Sequence, residues 1–250
     1  MKPELKTLMR CFVRTYFIGA AFNTRGLQNI GLAYAMEPGL KAFYTDEKEL
    51  KKARKRHLAL YNTHPYWTPL LVGYFLFLEA KTARGLLAPS SLNKVKSTAA
   101  YTLSAIGDSF FGGSLLVCWS LIATLLSLTL SAWAGLAWLG LSLVCLQVFK
   151  LSTFWLGWRQ GLTFFEKLRR LNLINWGQRI KYVNAGLLLG LWLVMYPQEL
   201  RVVPFFLSSA LIGAASLAVL HRFVPRELVL ALAAAGLCLW AWMGGGLGIA

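Results

Sequence analysis

From Ser97 to Phe149 the chain runs for 53 residues with a single charged side chain, Asp108. A helix crossing the roughly 30 Å hydrocarbon core of a bilayer needs about 20 apolar residues, so this stretch is long enough for two spans. Backbone polar groups inside a bilayer must be satisfied within the chain, which restricts such spans to helices unless a barrel closes. The spans are placed near 109–130 and 133–149, turning at Ser131-Ala132-Trp133. Three further apolar runs follow near 183–197, 202–220 and 228–247, with breaks at Pro197-Gln198-Glu199 and between His221 and Arg226.

The wider composition agrees. Of 250 residues, 57% are hydrophobic and 14% are charged, whereas about a quarter are charged in soluble domains. The net charge of +16 does not form a basic patch in a polar domain, as nucleic-acid binding would require. Instead the basic residues flank apolar runs. All 26 Lys and Arg except Arg201 fall in segments 1–65, 79–96, 150–181 and 221–227. By the positive-inside rule those segments face the cytoplasm, with the N-terminus inside, the C-terminus outside and anionic lipid as a contact. The opening MKPELKTLMR lacks the pattern of a secretory signal, because the apolar segment after it is short and broken by Arg14. Cys11, Cys118, Cys145 and Cys238 show no CxxC pair and read as packing residues.

The expected fold is therefore an all-α integral membrane protein: about five transmembrane helices, a re-entrant hairpin and a basic N-terminal amphipathic region. Residues 1–65 form the basic cytoplasmic or interfacial part. In it, TDEKELKKARKRHLALY predicts a helix capped by Thr45, with a basic face opposite Leu50, Ala53, Leu58 and Tyr61. Residues 66–96 hold the hairpin and a cytoplasmic loop, since the 13-residue apolar run Tyr66–Leu78 is too short to cross. Residues 97–250 form the transmembrane bundle, with 150–181 as a cytoplasmic segment.

Two places invite a functional reading. Asp108 stands in IGDSFFGG, and a carboxylate near the bilayer centre costs about 2.5–3.5 kcal/mol unless it has a partner, a proton or water. Gly107, Gly112 and Gly113 would allow a broken helix around it, as at transporter sites; equally, Asp108 is a natural N-cap for a span beginning at Ser109. The packet Asn62-Thr63-His64-Pro65 lies between the basic run and the apolar run. Its amide, hydroxyl and imidazole groups suit sugar hydroxyls, and they also suit local bonding to backbone freed by Pro65. His57 and His221 read as surface residues. No nucleotide loop, metal-ligand spacing or nucleophile elbow is present, so no catalytic residue, metal or cofactor is assigned.

The order of these motifs resembles the IID membrane component of the mannose/fructose/sorbose family of the bacterial phosphotransferase system. The likeness is carried by RTYFIGAAFNTRGLQNIGLAYAMEPGLKAFY, KRHLALYNTHPYW, SAIGDSFFGG, WLGWRQGLTFFEKLRRLNLINWGQRIKYVNAGLLLG and HRFVPRELVLALAAAGLCLWA. It implies an inner-membrane subunit that pairs with a IIC subunit, in a higher oligomer of such pairs, to translocate a hexose such as mannose. Cytoplasmic IIA and IIB components would relay phosphate, and no residue of this chain would be phosphorylated. It also implies that Asn62, Thr63, His64 and Pro65 border the substrate path, with Asp108 in the family's glycine-and-aspartate turn and Gln28 closing its N-terminal motif. Where the family motif has a glutamate, this chain has Asn23-Thr24-Arg25-Gly26-Leu27-Gln28. The lead into the turn is YTLSA, and the outside connection YPQELRVVP is short. The alternative reading is a non-transporting sensor or assembly scaffold for phosphotransferase proteins.

Overall fold

A computed structural model describes residues 3–196, 202–220 and 223–242. These residues form eleven α-helices, one 3-10 segment and one π segment, with isolated bridges in place of any sheet. The chain divides into two compact units, residues 1–194 and 195–250.

In the first unit the central element is α4 (Thr68–Thr82), preceded by α1 (Leu5–Arg14), a 3-10 segment (Thr15–Ala21), α2 (Asn29–Phe43) and α3 (Glu47–His57). The α4 sequence is apolar on every face, as a helix surrounded by other elements must be. Leu70, Leu71, Val72, Tyr74, Phe75 and Leu76 are all fully buried, each contributing about 1.5–3 kcal/mol of gross burial energy. Pro69 sits in the first turn, where its missing N–H costs nothing. The covering helices are α1, α2, α5 (Pro89–Gly107) and above all α7 (Ala132–Gln160). Gly73 and Gly157 bring α4 and α7 together: a methyl group at Gly73 would overlap the Phe154 carbonyl, and one at Gly157 would reach 2.5 Å from the Leu70 carbonyl. Where the sequence suggested a re-entrant hairpin, the structure thus has one core helix covered by protein.

The cap of α3 is Asp46, not Thr45; its carboxylate accepts from the Glu49 N–H at 3.2 Å. The helix ends at His57, earlier than Tyr61. Leu50 and Ala53 are buried and α3 packs on α2, while Lys48, Lys51, Lys52 and Lys55 stay exposed.

The uncharged run starts in α5, which continues through a π segment (Asp108–Leu115) into α6 (Leu116–Thr129). Asp108 has helical dihedrals (φ −62°, ψ −43°), so it neither caps a new helix nor marks a break. Instead the helix widens there. Ser131 caps α7 by accepting from the Ala134 N–H at 3.2 Å, at the expected turn. That helix runs on to Gln160, past Phe149, and α8 (Leu162–Arg170) and α9 (Leu173–Met195) follow. Helices therefore occupy most of 150–181, because amphipathic sequence extends them beyond the apolar zone. Among the described residues, Pro89–Thr129 and Ala132–Gln160 are helices long and apolar enough to cross a membrane. The second of these exposes Trp133, Leu143, Val144 and Val148.

The second unit contains α10 (Val202–Leu220) and α11 (Arg226–Trp242), both apolar and both with exposed leucines such as Leu211 and Leu230. The expected breaks at 197–199 and 221–222, together with His221 and Arg201, lie outside the described residues.

Candidate functional site: a cavity behind the Asn-Thr-His-Pro packet

The loop from Asn23 to Gln28 is built by its own side chain. Asn23 Oδ1 accepts from the N–H of Arg25 (3.1 Å) and of Gly26 (2.8 Å), and Leu27 takes a left-handed conformation with φ of 58°. That reversal lays the loop against the chain after α3: the Gln28 N–H donates to the Tyr61 carbonyl at 2.9 Å, and the Tyr61 N–H to the Gly26 carbonyl at 3.3 Å. Asn29 ties the same junction from the other side, donating to the Leu58 carbonyl at 2.6 Å.

This pairing joins two of the predicted motifs. Gln28 Oε1 accepts from the Thr63 backbone N–H at 3.2 Å. Thr63 is buried, and its hydroxyl has no partner. Gln28 and Pro65 then line a cavity of about 250 Å³ with Thr15, Tyr16, Ile18, Gly19, Thr68, Pro69 and Lys150. Lys150 Nζ lies 4.6 Å from the centre of the Tyr16 ring and 5.3 Å from that of Tyr66. The Tyr16 hydroxyl donates to Gln147 one turn away on α7.

His64 turns the other way. Its ring stacks on Phe111 at 5.3 Å and meets the edge of Tyr66 at 4.9 Å, while Nδ1 accepts from the Tyr66 N–H at 3.3 Å. A methyl group at Gly107 would overlap the His64 side chain. Glycine there lets the packet seat on α5 beside Asp108. Burial pushes the His64 imidazole below its ordinary pKa, against the pull of the Asp108 carboxylate. Asp108 itself is exposed, and Asn62 is half-buried. Gly112 faces open space and Gly113 makes only ordinary contact with the Asp108 carbonyl, so neither has a steric role like that of Gly107. The structure thus gathers Gln28, Thr63 and Pro65 on the cavity side, and His64, Gly107 and Asp108 on the α5 side. Asn62, Thr63, His64 and Asp108 do not line the cavity, and Thr63 is tied to it through Gln28.

The π segment is held by α9. Asn184 Nδ2 donates to the Ser114 carbonyl at 3.0 Å, and the Ser114 hydroxyl donates to Ser109 O at 3.0 Å. Such widened turns recur at functional sites, because they leave backbone carbonyls for outside partners.

A second polar cluster was not anticipated. His57, expected at the surface, is fully buried, and its Nε2 lies 2.9 Å from Glu79 Oε1. Glu79, also fully buried, accepts from Arg56 at 3.1 and 2.8 Å and from the Tyr44 hydroxyl at 2.6 Å. Lys96 reaches in to the Arg56 carbonyl at 2.8 Å. These contacts clamp the end of α3 onto α4. Sequence reasoning also missed Lys150 and Tyr16. Lys150 carried a signal, as the first charge after 41 uncharged residues. Among the described residues, no group of three His, Cys, Asp or Glu side chains is placed to hold a metal.

Fold and site together define an all-helical membrane protein with a small polar cavity beside its central helix. Residues 4–191 match the family described as PTS system mannose/fructose/sorbose family IID component, and the chain belongs to that family. It is 26% identical over 192 residues to the fructose permease IID component of Bacillus subtilis (strain 168), covering 76% of this chain and 67% of that protein. It spans 37% of the mannose-specific EIID component of Escherichia coli (strain K12) and 64% of the sorbose-specific EIID component of Lacticaseibacillus casei. A solved membrane-protein chain superposes with a TM-score of 0.77 at 17% identity, covering 96% of this chain and 98% of its own. A chain of the cryo-EM structure of the mannose transporter ManYZ with microcin E492 (MceA) superposes with a TM-score of 0.60 at 18% identity, covering 99% of each. At these identities the likeness to the solved structures is one of fold.

Proposed function

We propose that this chain is the IID-type membrane subunit of a phosphotransferase sugar permease. With a IIC subunit it forms the translocation unit for a hexose, coupled to phosphorylation by cytoplasmic IIB and IIA. It sits in the bacterial inner membrane with its N-terminus in the cytoplasm and its C-terminus outside, as the distribution of basic residues favours. Residues 1–65, 79–96 and 150–181 then face the cytoplasm, with the rest of the chain from 97 onward as the membrane bundle. The observation that carries the reading is the convergence of three motifs far apart in sequence: Gln28 bonds the backbone of Thr63, and His64 seats on Gly107 beside Asp108. Asp108, within the uncharged run, is the costly member of this junction, and intramembrane carboxylates mark substrate paths. In such a unit, one bundle rocking against another would move this junction.

The test is uptake of labelled mannose, fructose, glucosamine and glucuronate by cells expressing this chain with its IIC, IIB and IIA partners. Asn62→Ala and Asp108→Ala should each lower uptake with the complex still assembled, and Glu166→Ala, at an exposed position of α8, should not. Equal, mild effects from all three would defeat the assignment. The exposed lysines of α3 favour a second reading, a scaffold that binds phosphotransferase proteins without moving sugar. A stable complex with an active phosphate relay and no uptake of any sugar would select it.

A further inference from the structure

Lys150 is half-buried and unpaired. Among the described residues no carboxylate lies within ion-pair distance of its ammonium, and no hydrogen bond engages it. Its companions are the faces of Tyr16 and Tyr66. A ring face holds a cation more weakly than a charge-assisted hydrogen bond does, and an ammonium has three donors to give. A lysine that ends a membrane stretch ordinarily carries its ammonium out to water, whereas this one is turned onto two ring faces at a cavity wall.

The rest of the cavity wall supplies groups for hydroxyls and none for a cation. Gln28 spends its amide oxygen on Thr63, which leaves its amide nitrogen to donate. The Thr15 hydroxyl donates to the Phe12 carbonyl at 2.6 Å, which leaves its lone pairs to accept. Thr68 adds a third polar side chain, and the lining contains no acid. We propose that this cavity takes an anionic monosaccharide, a hexose bearing a carboxylate, with Lys150 as the residue that selects the charge. The proposal rests on reading the cavity as part of a sugar path. A neutral hexose would leave the ammonium unpaired. An amino sugar would bring a second cation beside it.

The test is equilibrium binding by saturation-transfer NMR to the full chain in phosphatidylcholine nanodiscs, where no anionic headgroup competes. The probes are D-glucuronate, D-glucose, D-glucosamine and inorganic phosphate. Glucuronate should bind at least about tenfold more tightly than glucose, since a charged hydrogen bond supplies that much. Lys150→Gln should remove the preference, and Lys150→Arg should keep it, which separates charge selection from damage to the fold. Glucose bound as well as glucuronate, or a preference unchanged in Lys150→Gln, overturns the inference and leaves the permease reading standing. Phosphate competing as well as glucuronate also overturns it, because the site would then hold any small anion. Binding of no sugar at all removes the cavity from the sugar path and takes the inference with it.

Discussion

Replacing Glu79 by alanine should be among the most damaging single changes in the first unit. The carboxylate is fully buried and accepts four hydrogen bonds, two from Arg56 and one each from His57 and Tyr44. Its removal strands a cation and a buried imidazole whose Nδ1 already lacks a partner. Breaking a buried pair on one side costs about 3–5 kcal/mol. For a unit of this size about 1 kcal/mol moves the midpoint by roughly 2–4 °C, so thermal unfolding in detergent should fall by about 10 °C. Glu79→Gln keeps one acceptor and should lose about half as much. The same assay run against pH gives a second reading. Burial alone would raise the Glu79 pKa, but the donors from His57, Arg56 and Tyr44 outweigh it and hold the carboxyl down at about 2. Burial pushes His57 below its ordinary 6.5, against the attraction of Glu79. Both groups bind more protons unfolded than folded, so stability rises with pH. It is complete above 6.5, weakens as His57 is forced to protonate, and weakens further from 4.5 down to about 2 as Glu79 does. Glu79→Ala should flatten the lower part of that acid limb. A midpoint shift under about 3 °C, with the acid limb unchanged, would refute the clamp.

Gly107→Ala should force His64 off α5, at about 1–3 kcal/mol and with reduced uptake; an unchanged midpoint would mean the packet is not seated there. Gly73→Ala drives a methyl into the Phe154 carbonyl and should lower the thermal midpoint by several degrees, whereas Gly140→Ala, in open helix surface, should be neutral or slightly stabilising. Leu27→Gly should leave the midpoint unchanged or raise it slightly, because relief of about 1 kcal/mol of left-handed strain offsets lost contacts. Leu27→Val should lower it, and the opposite order would show that the loop is not strained.

What could be read from the chain and what could not divides by the range of the interaction. The uncharged run declared its helices because composition alone excludes water there, and Ser131 declared the turn because a cap is a local device. The run Tyr66–Leu78 has no apolar stripe, and that pattern is the same whether lipid or protein surrounds the helix. The packing of α7 on α4, with Phe154 at Gly73 and Leu70 at Gly157, decides for protein. His57 was misplaced although the evidence lay in its spacing: it shares the inward face of α3 with Leu50 and Ala53, at the helical period. Its partner Glu79 is 22 residues away, and nothing local announces that pairing. The same holds for the candidate site. Gln28 and Thr63 are 35 residues apart, and Tyr16 and Gln147 are 131 apart. Thr63 was found from the place of its packet between a basic and an apolar run, whereas Gln28 was found only through the resemblance to the family's N-terminal motif. Motif reading missed Lys150 because a cation ending a membrane run is ordinary until its neighbours prove to be two aromatic faces and no acid. A lone charge beside a span therefore becomes evidence only when its partners are counted. For Asp108 the local segment settles nothing either, since the π turn that carries it is held by Asn184 from α9, 70 residues beyond Ser114.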